Sequence, residues 1–372
     1  MHGVKRSRIP PVPDTADVAR KKHEKEQQKI QEYTRLTEEL VAKSKAEDYS
    51  QTTVHLSTKV LQLNPEYQTG WSIRRRVLLR GPLAQASVTS PALILGDEAT
   101  QQTILEADLD LTNSALRQNP KNYSTWEHRK WVLETMPDAN WVFEMKMVEA
   151  YLEKDGRNFH SWDYRRYIVA SLLELHAKEH AKANDSGAGC QASTPNPKRP
   201  RPTTASELAY SKRKIAENFS NFSAWHYRSK LLPKLWEEQG WDEGSEQRVK
   251  QVDEEFELVK QAIWSDPNDQ SAWLYHRWLV RKGAPVIVRR EIAGIKELLE
   301  EEPDSRWCLE SLVYYQRLLH SLLGDDEVSE RDELNASNLE MLNTLKRVDP
   351  MRKARYQDLG TSYPVHILPH RR

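Results

Sequence analysis

The stretch Asn119-Pro-Lys-Asn-Tyr-Ser-Thr-Trp-Glu-His-Arg-Lys-Trp131 decides the fold of this 372-residue chain. It has the composition of a short turn between two helices, because Asn-Pro ends one helix and a second asparagine precedes the run that holds Trp126 and Arg129. The pattern Asn-x-x-x-Trp-x-x-Arg returns, with variations, around four further tryptophans: Trp71, Trp162, Trp225 and Trp273. A repeat inside one sequence predicts an array of similar structural units.

The recurring positions have a simple structural interpretation. The asparagine four residues before the tryptophan is predicted to cap a helix, because its side-chain oxygen can accept a backbone N–H; this applies to Asn122, Asn158 and Asn221, with Asp269 in the fifth copy. The tryptophans are predicted to fill grooves between helices, and the arginines three residues later to bind helix carbonyls on the same face. The expected scaffold residues are therefore Trp126, Arg129, Trp162, Arg165, Trp225, Arg228 and Trp273.

Apolar helical segments precede the turns, at 104–116, 142–152 and 256–264. Each unit is therefore predicted to be two antiparallel helices joined by a short loop. Stacking of such units predicts an all-α fold, a right-handed superhelical, crescent-shaped solenoid of helix hairpins similar to tetratricopeptide repeats. A sixth, degenerate copy is predicted near Trp307.

The predicted organisation is one helical repeat domain with additions. The domain covers 15–176 and 207–350, interrupted by a disordered insertion at 177–206 that is rich in Gly, Ser, Pro, Asn and Ala. The basic cluster at the end of this insertion, Lys198-Arg-Pro-Arg201, is interpreted as solvated surface rather than a nuclear address. A flexible arm is expected at 1–14 and a C-terminal tail, loose or lying on the surface, at 351–372.

Composition narrows the possible functions. Equal numbers of basic and acidic residues, 55 of each, argue against general binding to nucleic acid or to membrane surfaces. No apolar run approaches the roughly 20 residues that span a bilayer, and the polar N-terminal residues predict no secretory signal. The two cysteines, Cys190 and Cys308, are far apart, which favours a reducing, cytoplasmic location.

Recognisable chemistry is scarce in the sequence. His176 and His180 are four residues apart, but they lie at the edge of the predicted insertion and lack the metalloprotease pattern. The acidic run at 325–327 is interpreted as a helix stop rather than a magnesium site, and there is no Gly-rich phosphate loop or Gly-x-Ser-x-Gly motif. We therefore expect this chain to bind no metal and to catalyse no reaction on its own.

With these repeats the sequence resembles the alpha subunits of protein prenyltransferases. The likeness covers nearly the whole chain apart from the insertion and the ends, and a tetratricopeptide repeat would instead show a regular period of about 34 residues. Within the family, the sequence is most similar to the type II, or Rab, geranylgeranyltransferase branch. The stretches that carry this likeness are 157–166, 218–228, 266–273 and 348–352. No sequence is left for the immunoglobulin-like and leucine-rich domains of some type II alpha subunits, so we expect neither.

The resemblance implies a split active site. The family's beta subunit, an alpha–alpha barrel, holds the zinc, the isoprenoid and the acceptor cysteine, while the alpha subunit lends Lys121 and Tyr123 to the lipid diphosphate. Phe159 and His160 occupy the corresponding place in the third copy, where some family members have Tyr-His. Both are candidate substrate-binding residues, but phenylalanine has no hydroxyl to donate to the diphosphate, so His160 is the one expected near the anion. His2 could visit the partner's metal, with an inert tail as the alternative.

The function implied is transfer of geranylgeranyl from geranylgeranyl diphosphate to C-terminal cysteines of Rab GTPases, presented by a Rab escort protein, with this chain as the alpha subunit of the heterodimer. Two alternatives stay open. The chain could be the alpha subunit shared by farnesyltransferase and type I geranylgeranyltransferase, or a non-catalytic helical-repeat adaptor. Lys121 with Tyr123 favours an enzyme, since an adaptor has no need of them.

Overall fold

The computed structural model describes residues 16–84, 94–185, 198–281, 283–324 and 326–361, so the predicted arm and the centre of the predicted insertion lie outside the described residues. The chain divides into two compact units. The first ends at Pro200, and the second begins at Arg201 and also takes in Asp155–Arg157. Within the described ranges there is no β-strand, and no helix has the length and apolar character that crossing a membrane requires.

The first unit contains seven described helices. They are α1 (Ala16–Lys45), α2 (Gln51–Leu63), α3 (Gln68–Arg80), α4 (Ile94–Gln118), α5 (Tyr123–Thr135), α6 (Trp141–Lys154) and α7 (Phe159–Asp185). After α1, consecutive helices pack in pairs, α2 with α3, α4 with α5 and α6 with α7. These pairs are the predicted hairpins that carry Trp71, Trp126 and Trp162.

The second unit repeats this plan. Its helices are α8 (Thr204–Glu217), α9 (Phe222–Gln239), α10 (Glu246–Ser265), α11 (Gln270–Val280), α12 (Pro285–Glu301), α13 (Arg306–Leu322), α14 (Val328–Val348) and α15 (Lys353–Thr361), with a 3₁₀ turn at Pro350–Arg352. The pairs α8–α9, α10–α11 and α12–α13 are the hairpins of Trp225, Trp273 and Trp307. The predicted all-α hairpin architecture is confirmed.

The predicted helix caps are present. Asn122 Oδ1 accepts from the backbone N–H of Ser124 at 2.9 Å and of Thr125 at 3.3 Å. Asn158, Asn221 and Asp269 cap α7, α9 and α11 in the same way. The repeat position four residues before the tryptophan therefore fixes where each second helix begins.

Replacing Asn221 by alanine should lower the free energy of unfolding by about 1 kcal/mol, because Ala224 N–H would lose its side-chain acceptor at the start of α9. Serine can still supply a capping oxygen, so Asn221→Ser should cost only a few tenths of a kcal/mol. Urea unfolding of the two variants measures the difference, and equal losses would show that the cap contributes nothing.

The tryptophans fill the hairpins as predicted, and their indole nitrogens tie the turns to the helices. Trp71, Trp162, Trp225 and Trp273 are at most 1% exposed. Trp71 Nε1 donates to Pro65 O at 2.8 Å, six residues earlier. The same bond recurs from Trp126 to Pro120, from Trp225 to Phe219 and from Trp273 to Pro267.

The arginines link neighbouring hairpins as well as binding carbonyls. Arg129 donates to Leu109 O at 3.2 Å, as predicted, and also to both oxygens of Glu144, at 2.6 and 2.8 Å. Glu144 also accepts from Tyr164 OH at 2.6 Å. Burial would lower the pKa of Arg129, but Glu144 and Tyr164 outweigh it and raise the pKa. A buried ion pair therefore joins α5 to the next hairpin.

The same link recurs along the chain. Arg228 pairs with Glu255, which also accepts from Tyr275 OH at 2.7 Å. In the fifth hairpin, His276 replaces the arginine and is hydrogen-bonded to Glu291 and Tyr315. Between the first and second hairpins, Arg74 pairs with Asp108. Asp108 is also hydrogen-bonded to His128, which takes the place that a tyrosine has in the other two arginine pairs.

Both ends of the predicted disordered insertion are helical in the structure. α7 continues to Asp185, and α8 begins at Thr204 with Thr203 as its capping residue, so only the central part of 177–206 lies outside the described residues. Five of the nine residues at 177–185 are alanine or lysine, which favour helix. The basic cluster is also not merely solvated, because Lys198 pairs with Asp138 and Arg199 with Glu179.

Part of the predicted tail, which was expected to be loose or to lie on the surface, is an ordered helix at 353–361. These residues form α15, which packs against α14. The ring of Tyr356 is buried, and its hydroxyl oxygen lies 2.6 Å from Glu310 and 2.8 Å from Asp349. One aromatic side chain with two carboxylate partners fixes this short helix, a tertiary effect that composition does not reveal.

Candidate functional site

The turn between α4 and α5 presents the two residues predicted to bind a diphosphate. Lys121 is exposed in this turn, and its backbone N–H donates to Asn119 Oδ1 at 3.0 Å. Tyr123 is the first residue of α5, with 65% of its surface exposed. The cap at Asn122 lies between them and sets both positions at the helix N-terminus.

The start of α7 completes an aromatic cluster with Tyr123. The ring centroid of His160 lies 4.2 Å from that of Tyr123 in a T-shaped arrangement, and the Phe159 ring lies 5.9 Å from Tyr123. His160 is buried, whereas Phe159 is 54% exposed. The structure therefore brings together Tyr123, Phe159 and His160, which the sequence places in two different repeats.

Lys121 acts electrostatically on this cluster. Burial lowers the pKa of His160, the carboxylate of Asp163 opposes this, and the positive charge of Lys121 lowers the pKa further. His160 is therefore neutral at pH 7, since its ordinary pKa is already near 6.5. Lys121 is two residues before Tyr123 and its charge acts on His160, so the four predicted site residues lie near one another.

Replacing Lys121 by alanine should raise the pKa of His160, because a nearby positive charge disfavours protonation of the imidazole. A titration of the His160 ring signals by NMR measures this, and wild type should titrate below the ordinary range. Lys146→Ala, an exposed lysine on α6, is the matched control and should leave the His160 titration unchanged. An unchanged pKa in Lys121→Ala would place Lys121 too far from His160.

A second ionic group, not predicted from the sequence, lies beside the cluster. Lys130 Nζ is 2.9 Å from both Glu127 and Asp163, and Arg166 also contacts Asp163. Burial would raise the pKa of Asp163, but Lys130 and Arg166 lower it overall, so the carboxylate is ionised. Glu127 and Asp163 each follow a repeat tryptophan, and Lys130 and Arg166 each follow a repeat arginine, so their shared repeat positions were the available signal. The sequence alone does not show that residues of two different copies meet. Two carboxylates therefore balance the charge of Lys130.

Among the described residues, there is no group of at least three His, Cys, Asp or Glu side chains that could hold a metal ion. His176 is hydrogen-bonded to Pro200 O and Glu179. His2 lies outside the described residues.

The arrangement is suited to an amphipathic anion. An exposed ammonium and a phenolic hydroxyl can both donate to phosphate oxygens, and the helix N-terminus adds favourable partial charge. The exposed faces of Tyr123 and Phe159 provide apolar surface directly beside these donors. A lipid with a charged head matches both features.

Comparison with known sequences supports this assignment of the repeats. A family profile described as "Protein prenyltransferase alpha subunit repeat" matches residues 105–136, 141–172, 204–235 and 252–283. The first two matches contain Lys121, Tyr123, Phe159 and His160.

Similar curated proteins include type-2 geranylgeranyl transferase alpha subunits. The Schizosaccharomyces pombe protein is 32% identical, over 96% of this chain and 97% of its own length. The Rattus norvegicus protein is 35% identical over 77% of this chain but only 42% of its own length. The chain therefore spans less than half the length of its mammalian relatives.

A solved structure shows the same fold. The chain in "Candida albicans protein geranylgeranyltransferase-I complexed with GGPP" aligns with a TM-score of 0.59 over 89% of this chain and 90% of that chain. Its sequence identity is 19%, so this likeness supports the fold alone.

Proposed function

Because this chain belongs to the protein prenyltransferase alpha subunit family, we propose that it is the alpha subunit of a heterodimeric type-2 geranylgeranyltransferase. The heterodimer transfers geranylgeranyl from geranylgeranyl diphosphate to C-terminal cysteines of Rab GTPases presented by an escort protein. The observation that carries the proposal is the exposed Lys121 beside the Tyr123–His160 cluster, on repeats that match this family.

The proposed chemistry assigns a limited role to this chain. The carbon–oxygen bond of the lipid diphosphate breaks, pyrophosphate leaves with the bonding electrons, and a cysteine thiolate forms the carbon–sulfur bond. Lys121 stabilises the negative charge that grows on the departing diphosphate, and the Tyr123 hydroxyl donates to the same oxygens. His160 is neutral and packs behind Tyr123, which limits the positions open to the phenol ring.

The partner supplies the rest of the site in this proposal. Zinc is held by the beta subunit, where it lowers the pKa of the acceptor thiol. The free, buried Cys308 is compatible with a reducing, cytoplasmic setting for the complex.

The alternatives are less well supported. A shared alpha subunit of farnesyltransferase and type I geranylgeranyltransferase has the same fold, but a nearly full-length relative at 32% identity is a type-2 alpha subunit. A non-catalytic adaptor would not need an exposed lysine and phenol at one helix N-terminus beside a neutral histidine.

The choice of acceptor tests the proposal. Combined with a type-2 beta subunit and an escort protein, the chain should transfer labelled geranylgeranyl to a Rab that ends in two cysteines. Combined with a farnesyltransferase beta subunit, it should not modify a C-a-a-X peptide. Activity only in the second mixture would assign the chain to the shared alpha subunit instead.

A further inference from the structure

Asn158 makes hydrogen bonds in two directions. Its oxygen caps α7 by accepting from the backbone N–H of His160 at 3.0 Å and of Ser161 at 3.4 Å. Its amide nitrogen donates to Pro120 O at 3.3 Å, in the turn of the preceding hairpin. Asn158 is 2% exposed, whereas Pro120 is half-buried, so the capping bonds are buried and the bond to Pro120 O is partly buried.

The acceptor of the second bond directly precedes Lys121. Pro120 O also accepts from Trp126 Nε1 at 2.9 Å, so two buried donors hold this one carbonyl. The amide of Asn158 thereby connects the backbone at Lys121 to the backbone that starts Phe159 and His160. A single side chain spans both halves of the candidate site.

The opposite side of the same turn is also fixed. Asn122 Nδ2 donates to Pro65 O at 2.6 Å, in the turn of the first hairpin. Asn119, whose oxygen accepts from Lys121 N–H, donates its amide to Glu66 in that turn. The turn that carries Lys121 is therefore held from the hairpins before and after it.

We propose that Asn158 is a positioning residue of the transferase, which places Lys121 relative to His160 and Tyr123 through its amide bond to Pro120 O. The inference rests on the proposed function. Its physical basis is that an ammonium group stabilises a departing diphosphate only from a fixed position, and small displacements at such sites reduce rates strongly.

This chain itself shows which substitutions keep the cap. Asp269 caps α11 from the equivalent position, and Ser305 caps α13 by accepting from Cys308 N–H. Asn158→Asp and Asn158→Ser should therefore both preserve the start of α7, while neither has an amide to donate to Pro120 O. Serine adds no charge, so the pair separates loss of the donor from the effect of a new carboxylate near Lys121.

The experiment uses the heterodimer with a type-2 beta subunit, supplied with escort protein, and measures the inhibition constant of inorganic pyrophosphate together with kcat and the KM for the Rab substrate. Both Asn158 variants should weaken pyrophosphate binding about five- to tenfold and lower kcat, with the Rab KM unchanged. Asn221→Ser, which alters the equivalent cap of α9, should leave all three unchanged.

A double substitution distinguishes positioning from general damage. In a Lys121→Ala background, Asn158→Ser should have no further effect on pyrophosphate binding, because its effect passes through Lys121. Provided that the wild-type heterodimer transfers lipid, two results would overturn the inference. One is that the effects of Lys121→Ala and Asn158→Ser on pyrophosphate binding are fully additive. The other is that Asn158→Asp weakens pyrophosphate binding and Asn158→Ser does not. If the wild-type heterodimer transfers none, the proposed function fails and the inference fails with it.

Discussion

Replacing Lys121 by alanine should reduce kcat for geranylgeranyl transfer by the heterodimer about 10²- to 10³-fold. That is the usual effect of removing one group that stabilises charge developing in a transition state. The KM for the Rab substrate should not change, because Lys121 lies on the side of the site assigned to the lipid diphosphate. Steady-state kinetics with labelled geranylgeranyl diphosphate measure both quantities.

The control for this prediction is again Lys146→Ala, which removes an exposed lysine of the next hairpin and should leave kcat within about twofold. Thermal unfolding of both variants should match wild type, since each lysine is exposed. A Lys121→Ala enzyme with wild-type kcat would remove the residue from the catalytic site.

Replacing Glu144 by glutamine should lower the free energy of unfolding by about 3–5 kcal/mol. Glu144 is 1% exposed and accepts two hydrogen bonds from Arg129, which is itself fully buried. The substitution leaves the guanidinium charge buried without a counter-charge, and removing one partner of a buried pair is strongly destabilising.

The matched control is Glu174→Gln on α7, which breaks an exposed pair with Lys178. Exposed pairs contribute roughly 0–1 kcal/mol, so this variant should unfold close to wild type in urea. If both variants lose a similar free energy of unfolding, the buried ion pair stabilises the protein no more than an exposed pair does.

Local sequence patterns were enough to predict the caps and tryptophans. Asn122 and Trp126 are four residues apart and act within one turn and one helix, so one stretch of sequence holds the whole interaction. The contacts of the repeat arginines were predicted only in part. The carbonyl acceptor of Arg129 lies in the same hairpin, 20 residues earlier. The acidic partners of Arg74, Arg129 and Arg228 follow the arginine at different distances.

Those distances explain why the acidic partners were missed. Glu144 is 15 residues after Arg129, Glu255 is 27 after Arg228, and Asp108 is 34 after Arg74. The loops between hairpins vary in length, so no fixed spacing from the arginine reveals the acid.

The candidate site was predictable in its residues but not in its geometry. The resemblance singled out Lys121, Tyr123, Phe159 and His160, yet only the packing of two hairpins shows His160 buried against Tyr123. Burial also decides that His160 is neutral, which no local pattern indicates. The amide bond from Asn158 to Pro120 O crosses between repeats and was not foreseen for the same reason.

The measurement that tests the central claim most directly is labelled geranylgeranyl transfer to a Rab with two C-terminal cysteines, with components omitted in turn. This chain alone should be inactive, and so should a type-2 beta subunit with escort protein alone. The complete mixture should transfer lipid, because the diphosphate-binding residues and the zinc are proposed to lie on different chains. If this chain forms no complex with the beta subunit and adds no activity, the split site is wrong and the chain is a helical-repeat adaptor.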